Sequence, residues 1–310
     1  MNTNVNYPEY LTFNSLNQRP TAVSQFFEKE VILEEGKRFY PKIEKLEGYF
    51  NNDYQSLKFG ACQFIGFLHD TIHVEHNIVI PCIKNLYKLP FDIPDEPKEE
   101  LFKLVTDEGH HAAQALTFIH AIQDKFAVDI CERGKETPLF MTKLEESERK
   151  LVSENDKVLF KMIIGVVTET RISKELGQFT RDNDIVSSVV NCCRSHQEDE
   201  IVHASQFRAL GIWCWSKLNE HQRNLAAGIF AETTIMRSLP DTERLAFYFS
   251  LATGCLRTEA DEVINNIFTE DVMKQDMLIA ARPTLSFLKK MGVTEYPSAK
   301  QLFIEYGITV

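Results

Sequence analysis

Two Glu-x-x-His pairs, Glu108 with His111 and Glu200 with His203, are the residues of this sequence best suited to chemistry. Positions three apart lie on one face of a helix, so each pair can present a carboxylate and an imidazole to the same point. Carboxylate and imidazole ligands suit iron or manganese better than copper(I) or thiolate-bound zinc. The pairs therefore predict a metal site built on helices.

The second pair belongs to a helical stripe whose other members are apolar. Steps of three and four connect Val189, Cys193, His196, Glu200, His203, Phe207 and Leu210. Such a stripe faces the core of a protein, where a polar side chain is unfavourable unless a partner satisfies it. A metal ion would be such a partner for the two imidazoles and the carboxylate.

Two further glutamates, Glu75 and Glu169, lie in the middle of other apolar stripes. The periodicity predicts four long helices, at about 56–86, from Pro97 to about Lys125, at about 155–180, and from Asp184 to about 215. A single Glu on each of two helices and Glu-x-x-His on the other two is the ligand pattern of di-metal carboxylate bundles. We expect the four helices to converge on two metal ions.

Each single carboxylate has a competitor nearby. His73 and His76 flank Glu75, so the stretch around it could instead be a polar patch. Glu175 is the alternative to Glu169, but it shares a stripe with Arg171, and we expect that stripe to be solvated. The ligand hypothesis for these two helices therefore favours Glu75 and Glu169.

Other candidate polar residues receive structural interpretations. His110 lies about 100° around the helix from its neighbour, which favours a core or supporting role over metal binding. Cys193 is on the metal face, but a small buried apolar residue is the simpler interpretation. Ordinary helix positions are expected for His120 and His221.

An aspartate precedes each Glu-x-x-His pair, at Asp107 and Asp199. A carboxylate beside a metal site can accept the second ring N–H of a ligand histidine, which fixes the tautomer. The pseudo-twofold symmetry of such a bundle predicts crossed pairs, Asp107 with His203 and Asp199 with His111.

The remaining chain adds helices around this core. The 310 residues are 44% hydrophobic and show almost no strand-like alternation, which predicts one all-α domain over residues 1–310. We expect this domain to have a four-helix bundle core at about 56–215, with additional N- and C-terminal helices. We expect a surface arm at 1–25, a helical segment at 24–46 and a polar loop at 131–143. Further helices are predicted at about 219–237, 240–268 and 270–291, before an aromatic tail.

Composition excludes several classes of function. The net charge of -11 argues against nucleic-acid binding. The sequence contains no run of eighteen apolar residues and no export signal, so we expect neither a membrane span nor export. Seven cysteines without a CxxC pair indicate reduced thiols and a cytoplasmic location.

His196 adds a third histidine one turn before Glu200 on the same face. With this residue the sequence resembles the p-aminobenzoate N-oxygenase (AurF-like) family of the ferritin-like superfamily. The resemblance rests on the HxxxExxH run at 196–203, on its spacing from Glu169, and on the elements at Glu75 and Glu108. It covers the four core helices, about 56–215, and no motif extends it to the rest of the chain.

This resemblance implies a ferritin-like bundle holding two iron ions, with manganese as an alternative metal. The ligands it implies are seven side chains: Glu75, Glu108, His111, Glu169, His196, Glu200 and His203. The implied activity is oxidation of an amine to a hydroxylamine, nitroso or nitro product in secondary metabolism, with O2 as co-substrate and an external reductase or reductant as electron donor. A homodimer is also expected, from the resemblance and from the apolar helices after 215.

Two other functions stay open at this stage: another di-iron oxidase, acting on carbon, and a ferroxidase-type or non-catalytic metal protein. An apolar lining from Leu104, Val166, Ile172 and Phe207 is expected to exclude water from the site. Small residues at Gly165, Ala112 and Ala115 are expected to leave space for a substrate. Arg171, Arg194 and Arg208 are the candidate partners of a substrate carboxylate, with surface ion pairs as the default interpretation.

Overall fold

The computed structural model describes residues 30–128 and 137–309, and within them the chain is a bundle of α-helices without a β-strand. In chain order the helices are α1 (Asp53–Val74), α2 (Ile80–Lys84), α3 (Asp95–Phe126), α4 (Leu139–Arg149), α5 (Glu154–Thr180), α6 (Ser187–Lys217), α7 (Glu220–Met236), α8 (Thr242–Thr253), α9 (Arg257–Ile267), α10 (Glu270–Met291) and α11 (Pro297–Glu305). The all-α prediction is confirmed, and the four predicted core helices correspond to α1 with α2, α3, α5 and α6.

Two apolar clusters fill the bundle, one toward each end. On α3, Leu101 and Leu104 belong to the first cluster, and Ala115 and Phe118 belong to the second. Helix α5 runs between the clusters in the same order, whereas α1 and α6 run in the opposite order. The middle turns of all four helices therefore meet where the two clusters join, and the predicted ligands lie in these turns.

A π-helical segment, Glu75–Val79, connects α1 to α2. Pro81 follows it in the first turn of α2. A proline ring clashes with the carbonyl four residues earlier in an α-helix, and a wider turn relieves this clash. In that turn Ile80 donates its backbone N–H to the carbonyl of Glu75. Pro81 thus accompanies a local widening of the helix, and Glu75 is the first residue of the widened turn.

The predicted helix at 24–46 is wrong over the residues that the structure describes. Residues 30–43 contain no helix, and a 3-10 helix at Glu44–Tyr49 follows. Gly36 adopts a left-handed φ of 73°, and Arg38 pairs in parallel with Ile185 through two backbone hydrogen bonds of 2.8 and 3.0 Å. This tertiary pairing outweighs the helical composition of the segment. The predicted arm at 1–25 lies outside the described residues.

Three other boundaries differ from the prediction. The loop predicted to extend to 143 gives way to α4 at Leu139, just after Pro138 at the N-cap. The helix predicted over 240–268 is two helices, because Gly254 ends α8 with a left-handed φ of 77°. The C-terminal tail contains α11, whose Ala299 and Phe303 are fully buried. Each of these helices is short, so its periodicity was a weak signal.

No helix among the described residues has both the length and the apolar character needed to cross a membrane.

Candidate metal centre

The structure brings all seven predicted ligands together in the middle of the bundle. Glu75, Glu108, Glu169, Glu200 and His203 have no exposed surface, and the other two, His111 and His196, are 2% and 6% exposed. The apolar residues on either side of each ligand hold its helix against its neighbours, so the ligand stripe has no alternative but to face inward. The carboxylates and imidazoles therefore share one buried volume.

Two overlapping groups of four residues have ligand atoms within 4.8 Å of one another. The first is Glu75, His111, His196 and Glu200; the second is Glu108, His111, Glu200 and His203. Glu200 and His111 belong to both groups, so the two groups adjoin one another.

Glu200 lies at the centre of the arrangement. Its Oε1 is 3.1 Å from His203 Nδ1, 3.2 Å from His196 Nε2 and 3.3 Å from His111 Nδ1. Glu108 is placed similarly, with Oε2 3.0 Å from His111 Nδ1 and Oε1 3.1 Å from His203 Nδ1. Both carboxylates are therefore placed to bridge two ions.

The two single glutamates lie at opposite sides of this core. Glu75 Oε1 is 3.8 Å from His196 Nε2, and Glu169 Oε2 is 3.9 Å from His203 Nδ1. Glu169 is not a member of either four-residue group, but it lies beside His203 of the second group and could join that group in holding a metal ion. Of the competitors near Glu75, His76 is exposed and His73 contacts Asn77, 3.3 Å away.

The crossed aspartate pairs are present. His111 Nε2–H donates to Asp199 Oδ2 over 3.1 Å, and His203 Nε2–H donates to Asp107 Oδ2 over 3.4 Å. Each of these imidazoles therefore turns Nδ1 toward the four glutamates. The aspartates fix this tautomer, as they do for metal-bound histidines.

Several carboxylate oxygens at the centre accept no hydrogen bond from any described donor. They are both oxygens of Glu75, both of Glu169 and one of Glu200. A buried carboxyl oxygen without a hydrogen-bond partner is unfavourable, and folded proteins seldom contain several in one place. The donor set and its unsatisfied oxygens fit divalent metal ions, which would occupy these positions as positive partners.

Proton positions in the metal-free site follow from the pKa shifts of its carboxylates. Burial, together with the charges of neighbouring carboxylates, raises the pKa of Glu75 and of Glu169 well above the ordinary value. Although burial acts in the same direction on Glu108 and Glu200, the imidazolium of His203 lowers the pKa of Glu108 to about 2 and that of Glu200 well below the ordinary value. The surroundings therefore favour the neutral form of Glu75 and Glu169 and the ionised form of Glu108 and Glu200.

The imidazoles complete this balance. Burial opposes the charged form of each, but hydrogen bonds to Asp199 and Glu108 raise the pKa of His111 to about 9, and ionised carboxylates raise that of His203 further. Burial and the charge of His111 lower the pKa of His196, which favours its neutral form. Two imidazolium groups thus balance two carboxylates. Four ionised glutamates would likewise be balanced by two divalent cations that displace four protons.

Two expectations about the surroundings were wrong. Arg171 is 9% exposed and pairs with Glu175, so this stripe is not solvated. It faces a cleft rather than bulk solvent, because α7 packs beside α5 and α8 packs beside α1. Gly165 leaves no space for a substrate, since a Cβ there would lie 2.7 Å from the side chain of Cys82. Its role is to let α2 approach α5.

Other predicted features of the surroundings are confirmed. Leu104, Val166, Ile172 and Phe207 are at most 2% exposed and form an apolar shell around the ligands. Cys193 is buried in the apolar core, as expected for a structural thiol. Other charged residues of the cleft, such as Arg237, were missed because they follow the core helices and have no distinctive spacing.

No family model matches this chain, and no curated protein sequence matches it either.

Proposed function

We propose that this chain is a di-iron, O2-dependent N-oxygenase, which oxidises an amine to a hydroxylamine and further to a nitroso or nitro compound. The observation that carries the proposal is the position of His196, a third imidazole in a buried set of four glutamates. Its Nε2 lies 3.2 Å from Glu200 and 3.8 Å from Glu75, so it can bind the same ion as these carboxylates.

The sequence pattern supports the same function. The order of the ligands and the HxxxExxH run resemble the AurF-like N-oxygenases, and the buried arrangement of all seven side chains is compatible with that resemblance. Carboxylates and imidazoles are also ligands that suit iron or manganese. Two ferrous ions would supply two electrons for the reduction of O2 at the amine.

The protein's own residues would bind the metal ions, orient the ligand imidazoles and shield the site from water. Glu75, Glu169 and His196 would complete the outer sides of the two ion positions, and the bridging glutamates would lie between them. Asp107 and Asp199 would keep the Nδ1 lone pairs directed inward by accepting the Nε2 protons. The apolar shell would exclude water from the oxidising site.

The first oxidation step balances as R–NH2 + O2 + 2 electrons + 2 protons to R–NHOH + H2O. One oxygen atom forms the N–O bond and the other leaves as water. The two electrons are supplied by an external reductant, which regenerates the ferrous state after each turnover. The Asp107 and Asp199 side chains, 19% and 22% exposed, connect the buried histidines to the surface and would pass protons inward.

The test is to load the protein anaerobically with ferrous ion, add 18O2 and a reductant, and follow p-aminobenzoate and a set of other amines by mass spectrometry. The proposal predicts labelled oxygen on nitrogen. Labelled oxygen on carbon would support the other di-iron oxidase instead. Oxidation of iron without an organic product would indicate a ferroxidase.

Two histidine variants control the experiment. His196→Ala is expected to reduce N-oxygenation by at least about 100-fold while the chain still folds, because it removes a ligand nitrogen. His120→Ala changes an exposed histidine on α3 and is expected to behave as the unmodified protein. Equal activity of the two variants would remove His196 from the site.

A further inference from the structure

A cleft of about 310 Å³ opens beside the candidate metal centre, between α1, the start of α4, α5 and the connection from α7 to α8. Thr71, Val74 and Ile172 form part of its wall. Val74 precedes the ligand Glu75 directly, and Ile172 follows Glu169 by one helical turn. The inner wall of the cleft therefore adjoins the helical turns that carry Glu75 and Glu169.

The lining combines charged and aromatic side chains. It contains four basic residues, Lys143, Arg171, Arg237 and Arg244, and three acidic ones, Asp70, Glu175 and Asp241. The cleft is thus slightly positive in a protein whose net charge is -11. Tyr40, Phe67, Phe140 and Phe179 supply aromatic surface between these charges. A molecule with both charged and apolar parts fits such a lining.

One group of charges has an excess of positive charge. Arg171 and Arg237 share a single acid, Glu175, whose Oε2 is 3.2 Å from the guanidinium of Arg237. Although burial favours the neutral acid, these two guanidinium groups lower the pKa of Glu175 and keep it ionised. Arg171 also donates to Ser238 Oγ over 2.6 Å. The group as a whole carries one positive charge more than its acid neutralises.

Arg237 is the least satisfied member of this group. Its side chain is 8% exposed, its guanidinium stacks 4.4 Å from the centre of the Phe140 ring, and its buried Nε has no acceptor among the described residues. A buried guanidinium with an incomplete set of acceptors is unfavourable, and a planar carboxylate matches its fork. This end of the cleft therefore favours a carboxylate.

The other group of charges has the opposite excess. Arg244 pairs with two acids, Asp70 at 2.6 Å and Asp241 at 3.4 Å, so two carboxylates share one guanidinium. Asp241 also caps α8 by accepting the backbone N–H of Arg244. Asp70 is 31% exposed at its side chain and can accept a second donor from the cleft. A cationic group such as an ammonium fits this end.

We propose that the cleft recognises the zwitterionic headgroup of an α-amino acid and directs a side-chain amine toward the metal centre. The carboxylate binds at Arg171 and Arg237, and the α-ammonium binds at Asp70 and Asp241. The apolar body lies along Val74 and Ile172, beside the turns that carry Glu75 and Glu169, and the distal nitrogen is directed toward the metal centre. This inference rests on the proposed N-oxygenase function, and it narrows the substrate class to amino acids that carry a second, oxidisable amine.

Three matched arylamines test the headgroup by calorimetry on the zinc-loaded protein, which binds ligand without turnover. The first is 4-amino-L-phenylalanine, which carries both charged groups. The second, 3-(4-aminophenyl)propanoate, lacks the α-ammonium, and the third, 4-(2-aminoethyl)aniline, lacks the carboxylate. The zwitterion is expected to bind at least about 10-fold more tightly than either, because each charge-assisted contact contributes roughly a factor of 10 to 100. L-lysine, 6-aminohexanoate and pentane-1,5-diamine form the aliphatic arm, which separates an arylamine from an alkylamine substrate.

Two conservative variants assign the ends. Arg237→Gln is expected to weaken the two carboxylate-bearing ligands about 10-fold or more and to leave 4-(2-aminoethyl)aniline unchanged. Asp70→Asn is expected to weaken the two ammonium-bearing ligands and to leave 3-(4-aminophenyl)propanoate unchanged. Circular dichroism confirms that each variant is folded.

The outcomes separate this inference from the proposed function. Equal binding of the three arylamines, or equal losses on all three in both variants, would overturn the headgroup assignment. Tight zwitterion binding without any N-oxygenation by the iron-loaded protein would support the cleft and refute the proposed activity. N-oxygenation of simple amines without a headgroup preference would support the proposed activity and refute the headgroup assignment.

Discussion

Binding of divalent metal should release close to four protons per chain at pH 7. Glu75 and Glu169 are protonated in the metal-free site because burial and neighbouring carboxylates raise their pKa values. His111 and His203 are protonated because ionised carboxylates face them, with a pKa of about 9 for His111. All four must lose a proton before they can bind a metal ion. The remaining ligands are already in their binding forms.

The released protons can be counted by titration calorimetry with Mn2+ in buffers that differ in ionisation enthalpy. The slope of the observed enthalpy against ionisation enthalpy gives the number of protons. The product of the two binding constants should rise by up to about 10,000-fold for each pH unit near neutrality, since four protons are displaced. Glu75→Gln should release one proton fewer. Release of one proton or none by the unmodified protein would refute the charge arrangement.

Three further predictions concern the support of the site. Without metal, the free energy of unfolding measured in urea should fall as pH rises from about 5 to about 9, since the folded site retains protons that the unfolded chain loses. Each retained proton lowers this free energy by about 1.4 kcal/mol per pH unit. A flat profile would contradict this prediction. Asp199→Asn should weaken metal binding roughly 10- to 100-fold by releasing His111, and unchanged metal content would exclude that role. Gly165→Ala should destabilise the fold by about 1–3 kcal/mol in thermal unfolding, since its new methyl group meets Cys82. Gly109→Ala, with open space around it, should be neutral or stabilising, and equal losses would contradict the packing argument.

The centre of the fold was predictable because its signals are local and repeated. On α3, α5 and α6, apolar residues at steps of three and four identify the buried face, and the ligands occupy the same steps. Helix phase alone therefore indicated that Glu169 and Glu200 face inward. The crossed aspartates followed from symmetry, because Asp107 and Asp199 hold the same position relative to their Glu-x-x-His pairs.

The parts that were not predictable depend on contacts between distant segments. Residues 30–43 have helical composition, but they contain a turn and the pairing of Arg38 with Ile185 instead of a helix. Arg171 and Glu175 have the spacing of a solvated ion pair, and only the packing of α7 beside α5 and of α8 beside α1 encloses them in a cleft. The π-helical turn at Glu75 is similar, since Pro81 predicts a disturbance but not its form.

The most direct test of the central claim is the number of iron ions bound per folded chain. The protein would be loaded anaerobically with ferrous ion, separated from free metal and analysed for iron and protein, with His120→Ala as the matched control for His196→Ala. Four buried glutamates with three histidines predict two irons per chain, and loss of iron in His196→Ala alone. Fewer than one iron per chain in a folded protein, with the two variants indistinguishable, would contradict the account.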